Sequence, residues 1–264
     1  MKIIGEKING TRKSIQEAII QRNVDLIRAL AVQQSEAGAA WLDVNAGTHP
    51  DREPEDLAWL IDTIQAEVAI PLCLDSSSPE TLAAGLAKTR LTPMINSING
   101  DDKKLESILP LVAKHHCPVI ALAMDEKEIP ATSESRVAVV DKIITESRKA
   151  GVPDENLYID PLVMTISTNA QSGIIFLESI RQIKKKYPEV HFTAGLSNIS
   201  FGLPARSFIN RSLLTLAIEA GLDSAICNPL DSELIATIHS TELVLGRDDY
   251  CLNYIKWYRS RSLK

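Results

Sequence analysis

Long apolar runs are missing from this sequence: no window approaches the ~18 uninterrupted apolar residues that a transmembrane helix needs. A spanning helix and a membrane partner are therefore not expected. The opening Met1-Lys-Ile-Ile-Gly-Glu-Lys7 places charges where a secretory leader needs its apolar stretch, so a cytoplasmic location is expected. Cysteine is scarce. Cys73, Cys117, Cys227 and Cys251 form no C-x-x-C pair, and Cys73 and Cys227 lie inside apolar runs, where they read as small buried hydrophobes. Disulfides are not expected in such a compartment. Excess positive charge is absent too: 28 basic against 34 acidic residues give a net charge of −6 and a pI near 5.5. That balance argues against nucleic acid or an anionic surface as partner. Finally, no G-x-G-x-x-G follows the first strand-like run, which removes the usual support for an open dinucleotide-binding sheet.

What the sequence has is rhythm. Short apolar runs alternate with helix-like stretches through all 264 residues. Strands are expected at Ile3–Ile8, Ala40–Ala46, Leu72–Asp75, Pro93–Ser97, Pro118–Met124, Leu157–Val163, Phe192–Ser197 and Ser224–Asn228. Helices are expected over Ser14–Gly38, Pro54 to about Glu67, from Ser78-Pro79, from about Asp101, and over about Ser133–Ala150. Further helices are expected over about Gly173–Lys186, Ser207–Ala220 and Ser232–Leu245, with one more in the tail from Tyr250 to Lys264. Ser78 before Pro79 is an N-cap with proline at the first helical position, and Gly38 and Gly221 stand where helices end. Alternation implies a parallel sheet with right-handed crossovers. Eight cycles without a linker predict one α/β domain over residues 1–264, a closed (β/α)8 TIM barrel.

In such a barrel the ends of the strands deliver the ligand-binding side chains, whereas residues entering the strands serve stability. This sorting places His115, His116 and Cys117, which precede the fifth strand, on the wrong face for a metal site. His191 precedes the seventh strand, and His239 falls within a helix pattern. Only His49 lies on the catalytic side, where a lone loop histidine is ordinarily solvated. No metal is expected, and nucleophilic triads lose their support.

Four apolar runs instead end on one polar side chain each: Asp75, Asn96, Asp160 and Asn198. One strand-end Asp ordinarily caps the next helix, but several at one mouth favour binding. A carboxylate accepts two parallel N–H bonds, the donor pair at the edge of a pterin or guanine-like ring. An asparagine both donates and accepts beside it. Acceptors left unpaired penalise ligands that lack those donors.

The segments Gly5-Glu-Lys-Ile-Asn-Gly10, Asp43-Val-Asn-Ala-Gly47, Leu72-Cys-Leu-Asp-Ser76, Met94-Ile-Asn-Ser97 and Tyr158-Ile-Asp-Pro161 resemble the pterin-binding methyltransferases. So do Gly195-Leu-Ser-Asn-Ile-Ser200, Ile209-Asn-Arg211 and Gly221-Leu-Asp-Ser-Ala-Ile226. The resemblance covers essentially the whole chain, and the order and spacing of the motifs carry it. It extends to stand-alone methyltetrahydrofolate–corrinoid protein methyltransferases and to the folate domain of cobalamin-dependent methionine synthase. It implies methyl transfer between 5-methyltetrahydrofolate and a corrinoid, with Asp75, Asn96 and Asp160 binding the pterin. Asn198 is implied to act at the methyl-bearing ring nitrogen, and Gly195, Ser197, Arg206 and Ile226 match positions around that pocket. Arg206 has the alternative of bracing its own helix.

The resemblance also implies a homodimer and a corrinoid carried on a separate protein, since no D-x-H-x-x-G segment is present. One departure stands out. The branch serving the corrinoid/iron–sulfur protein has glutamine three residues after the key asparagine, where this chain has Phe201. Ser200-Phe-Gly-Leu-Pro204 looks more like methionine synthase or the methyltransferases of methylamine and betaine demethylation, which leaves the direction of transfer open. Two alternatives remain. A dihydropteroate synthase-like enzyme requires a basic Ser-x-Arg near the eighth strand, where this chain reads Cys227-Asn-Pro-Leu-Asp231. A non-catalytic folate-binding subunit of a methyltransferase complex is the other. The roles of Glu6, Asn9 and Asn45 are open at this point.

Overall fold

A computed structural model describes residues 1–126 and 129–262. Eight parallel strands form its centre: β1 (Lys2–Asn9), β2 (Trp41–Asn45), β3 (Leu72–Asp75), β4 (Met94–Ile98), β5 (Val119–Leu122), β6 (Leu157–Asp160), β7 (His191–Phe192) and β8 (Ser224–Cys227). Neighbours pair in chain order, and β1 pairs with β8. The remaining seam closes where Gly195 bridges Ile226, whose N–H donates to the Ala194 carbonyl at 3.1 Å. The expected barrel is present.

The helices are α1 (Lys13–Ile20), α2 (Val24–Glu36), α3 (Glu53–Gln65), α4 (Pro79–Leu86), α5 (Asp102–His115), α6 (Ser133–Lys149), α7 (Ser172–Lys186), α8 (Arg206–Ala220), α9 (Ser232–Val244) and α10 (Leu252–Ser262). Local chemistry sets their starts. Ser78, Asp101 and Asp231 accept first-turn N–H groups, and Thr132 and Ser135 form a reciprocal capping box. Tail residues 263–264 lie outside the described residues.

Period-two alternation along each strand divides the apolar side chains into two sets. Leu42, Val44, Leu72, Leu74, Ile95, Val119 and Ile159 face outward into the main core with helix residues such as Leu60, Ile61, Ile108, Ile143, Phe176 and Leu214. Ile4, Cys73, Met94, Ile120 and Tyr158 form a separate interior cluster, with Trp41, Leu122 and Ile226 against it. At the entering end, Lys2 Nζ donates to the Tyr158 hydroxyl at 3.1 Å and lies 5.2 Å from the Trp41 ring centre. Tyr158 stacks on His191 at 4.6 Å, and His191 bonds Asp223 at 2.6 Å. These groups fill the end of the barrel where the strands enter. Cys73, Cys117 and Cys227 are buried free thiols.

Two elements differ from expectation. The single helix expected over Ser14–Gly38 is α1 and α2, broken where Arg22 adopts φ +54° and Asn23 caps α2 by accepting from Leu26 N–H. A side-chain cap and a left-handed residue together outweigh a continuous apolar pattern. The strand expected over Phe192–Ser197 ends at Phe192, and Leu196–Ser200 forms a 3-10 turn. Among the described residues no helix is long and apolar enough to cross a membrane.

Candidate pterin site

Register pairs two of the polar strand ends directly and sets the third two residues further along its strand, since Asn96 partners Ile120 and Ile120 partners Tyr158. Asp75 and Asn96 are Cα partners on β3 and β4, and Asp160 ends β6 opposite Leu122. Two loops meet above them: an added Cβ on Gly10 would lie 2.0 Å from the Ala46 carbonyl oxygen, and Gly47 adopts φ +58°. Only glycine tolerates this approach.

Asp75 receives Asn45 Nδ2 on its carboxylate at 3.1 Å and on its main-chain oxygen at 3.2 Å. Burial pushes its carboxyl up to about 6. The Asn45 donor and Lys104 oppose that rise, and Glu53 adds to it. Asp160 is 7% exposed and accepts from Leu162 N–H at 2.8 Å. Burial pushes it up to about 7, against the Leu162 donor and the Arg136 charge. The buried Arg136 donates to the carbonyls of Pro161 and Leu162 at 2.7 and 2.8 Å, fixing the chain just beyond Asp160.

Asn96 is held from below: its Nδ2 donates to Asp43 Oδ1 at 3.2 Å. Burial and the Asp75 charge push Asp43 up to about 8. Two buried oxygens near the mouth, Asn45 Oδ1 and Thr48 Oγ1, have no hydrogen-bond partner. A ring edge rich in N–H donors suits such an array.

Asn198 is exposed on the 3-10 turn beyond β7. That turn is knitted to the β6–α7 loop, where Ile166 N–H donates to the Ile199 carbonyl and Thr165 Oγ1 to the Phe201 carbonyl, at 3.0 and 2.9 Å. Arg206 donates to the Ser197 carbonyl at 2.6 Å and to Ser200 Oγ at 3.0 Å. Its guanidinium therefore braces the turn carrying Asn198 and not its own helix, a contact neither of its two expected roles named. The Ser197 side chain is exposed, Ile226 is half-buried against the interior cluster, and a Cβ on Gly195 would meet nothing within 4 Å.

Other residues are less central. Asn9 Oδ1 accepts from Thr11 N–H and so organises its turn, and Glu6 pairs with Arg12 at 3.2 Å. The His49 side chain is exposed. Sequence reasoning passed over Asp43 and Arg136. Trp41, Asp43 and Asn45 share one face of β2 by alternation, and that was the available signal for Asp43. Among the described residues no group of three or more His, Cys, Asp or Glu is arranged to hold a metal ion.

The fold is that of a parallel (β/α)8 barrel enzyme class with polar strand ends, and comparison with known proteins gives the family. Residues 5–228 match the family described as pterin binding enzyme, and the chain belongs to that family. It is 39% identical to the methylcorrinoid:tetrahydrofolate methyltransferase of Eubacterium limosum over 261 residues, 98% of this chain and 96% of that protein. It is 34% identical to methionine synthase of Mycobacterium tuberculosis over 85% of this chain, which spans only 20% of that larger protein. Among solved structures, dihydropteroate synthase from Xanthomonas albilineans in complex with 7,8-dihydropteroate superposes with a TM-score of 0.72 at 21% identity, covering 92% of this chain and 93% of that one. At that identity the likeness concerns the fold alone.

Proposed function

We propose that this chain is a methyltransferase that moves a methyl group from a protein-bound corrinoid to tetrahydrofolate. The reading is supported by the end-to-end similarity to an enzyme named for that reaction, together with Asp75 paired to Asn96 at the ends of β3 and β4 and Asp160 at the end of β6. Asp75, Asn96 and Asp160 hold the pterin edge, with Gly195, Ser197 and Ile226 around the ring and Asn198 beside N5. The corrinoid supplies a methyl group on cobalt. The N5 lone pair forms the new C–N bond, the cobalt–carbon pair stays with the metal, and N5 gives up its proton.

The residues of the chain manage that nitrogen. The Asn198 amide oxygen accepts from N5–H and so aims the lone pair outward at the incoming methyl group. Arg206 acts through Asn198 by fixing its turn. Asp160, with a carboxyl pushed up to about 7, takes a proton at neutral pH, directly or through water.

The partner is a corrinoid-binding protein that docks over the mouth. Exposed Phe201, Phe208, Met164 and Leu230 on the loops and first turn beyond β6, β7 and β8 give it an apolar rim. Exposed Leu216, Val244, Leu252 and Ile255 on α8, α9 and α10 form the face of a homodimer, which light scattering tests. The reaction is tested by mixing the chain with methylcobalamin and tetrahydrofolate. The cobalt–methyl absorbance falls as 5-methyltetrahydrofolate accumulates, whereas tetrahydrofolate binding without turnover would leave the non-catalytic subunit reading.

A further inference from the structure

One carboxyl group sits where the barrel wall is otherwise apolar. Asp43, Cys73 and Met94 are in register on β2, β3 and β4, one inward-facing level below Asp75 and Asn96. Cys73 and Met94 belong to the interior apolar cluster with Ile4 and Ile120. Asp43 is 2% exposed, yet its side chain reaches past β3 to the Asn96 amide at 3.2 Å. The Cys73 thiol is its other side-chain partner. Burying a carboxyl here costs stability that an aliphatic side chain would not.

We propose that Asp43 is a positioning residue for the pterin site: lying beneath it, its carboxyl anchors Asn96 Nδ2 and so turns Asn96 Oδ1 toward the ring. The inference rests on the pterin reading of the mouth. An amide whose nitrogen is committed below offers its carbonyl to the ligand, and this fixes a donor-selective edge beside Asp75. The charged groups acting on Asp43 are Asp75 on β3 and Glu6 on β1, both acidic, while Asn96 and Cys73 are neutral donors. Arg12 pairs with Glu6, and Lys104 and Glu53 act on Asp75. Burial pushes both carboxyls up, and the Asp75 charge pushes Asp43 further, so the pair holds on to a proton toward neutral pH. Losing that proton at higher pH places a second negative charge below the pocket.

The test uses the full chain and tetrahydrofolate, with calorimetric binding followed from about pH 6 to above pH 8. The unmodified chain is expected to lose affinity about tenfold above that upper value. Asp43→Asn keeps a neutral acceptor for Asn96. It should bind within about threefold of the unmodified chain at neutral pH and lose the alkaline limb. Asp43→Leu is also neutral but offers no acceptor. It should bind about tenfold more weakly at every pH, with a melting temperature equal or higher.

Normal binding by Asp43→Leu, or an alkaline limb that survives in Asp43→Asn, overturns the proposal. A sharply lower melting temperature for Asp43→Leu does so as well, because Asp43 would then hold the fold rather than the site. A second readout needs no ligand: the Asn96 side-chain amide resonances should move with pH in the unmodified chain and stay fixed in Asp43→Asn. Resonances that ignore pH in both reject the coupling. If they move but tetrahydrofolate does not bind, the pterin reading fails while the coupling stands.

Discussion

Asn45 donates through one nitrogen to both the side chain and the main-chain carbonyl of Asp75, at 3.1 and 3.2 Å, while its own carbonyl oxygen is buried without a partner. The pair joins the ends of β2 and β3. Its donor favours the charged form of Asp75 against burial and against Glu53. An Asn45→Leu substitution removes that support, so Asp75 should titrate above its present value of about 6. Folate affinity at neutral pH should fall about tenfold and recover partly at higher pH, where Asp75 ionises again. Binding measured at both pH values decides the point: a loss independent of pH means that Asn45 contacts the ligand itself.

Asn198 and Arg206 separate by the substrate used. Asn198→Ala should slow methyl transfer about 100-fold, roughly 3 kcal/mol of barrier, with folate affinity changed only a few-fold. Arg206→Met loosens the turn at Ser197 and Ser200 and should also act mainly on kcat. The check repeats both measurements with a tetrahydropterin lacking the glutamate tail. If the Arg206 effect disappears with that substrate, the guanidinium holds the tail and the brace is incidental.

Much of this was legible in the sequence, for a physical reason. A parallel barrel delivers its strand ends to one rim, so Asp75, Asn96 and Asp160 could be grouped before any coordinates. Asp43 escaped because it lies mid-strand, one level deeper, where reading strand ends finds nothing. The turn at Leu196–Ser200 escaped because Phe192 and Leu196 gave the segment a strand-like apolar character, whereas its geometry depends on bonds from Arg206 and Thr165. Those partners lie 9 and 34 residues away, beyond any local pattern. The break between α1 and α2 had only Asn23 to announce it.

The three buried acids also leave a trace in stability. Asp43, Asp75 and Asp160 titrate higher in the folded chain than the ordinary aspartate value of 3.8. The folded state therefore holds more protons than the unfolded state between that value and about 8. Stability must then fall as pH rises through this window. Melting temperatures of the ligand-free chain should decline from about pH 5 to about pH 8, and the decline should be shallower in Asp43→Asn. A flat or rising profile common to both proteins rejects the shared proton uptake.

The apolar rim makes the last prediction. Phe201 and Phe208 are each 66% exposed, beside the turn that carries Asn198. Neither belongs to the pterin-holding set, so a charge at either position should spare folate binding. Free methylcobalamin reaches the mouth without docking a protein surface, whereas a corrinoid-binding protein must desolvate these rings. Phe201→Asp and Phe208→Asp should thus lower kcat/KM about tenfold or more for the protein-bound corrinoid and much less for the free cofactor. Rates with both methyl donors, measured on the same preparations, separate docking from chemistry. Equal losses with both donors would place the phenylalanines in the reaction site itself.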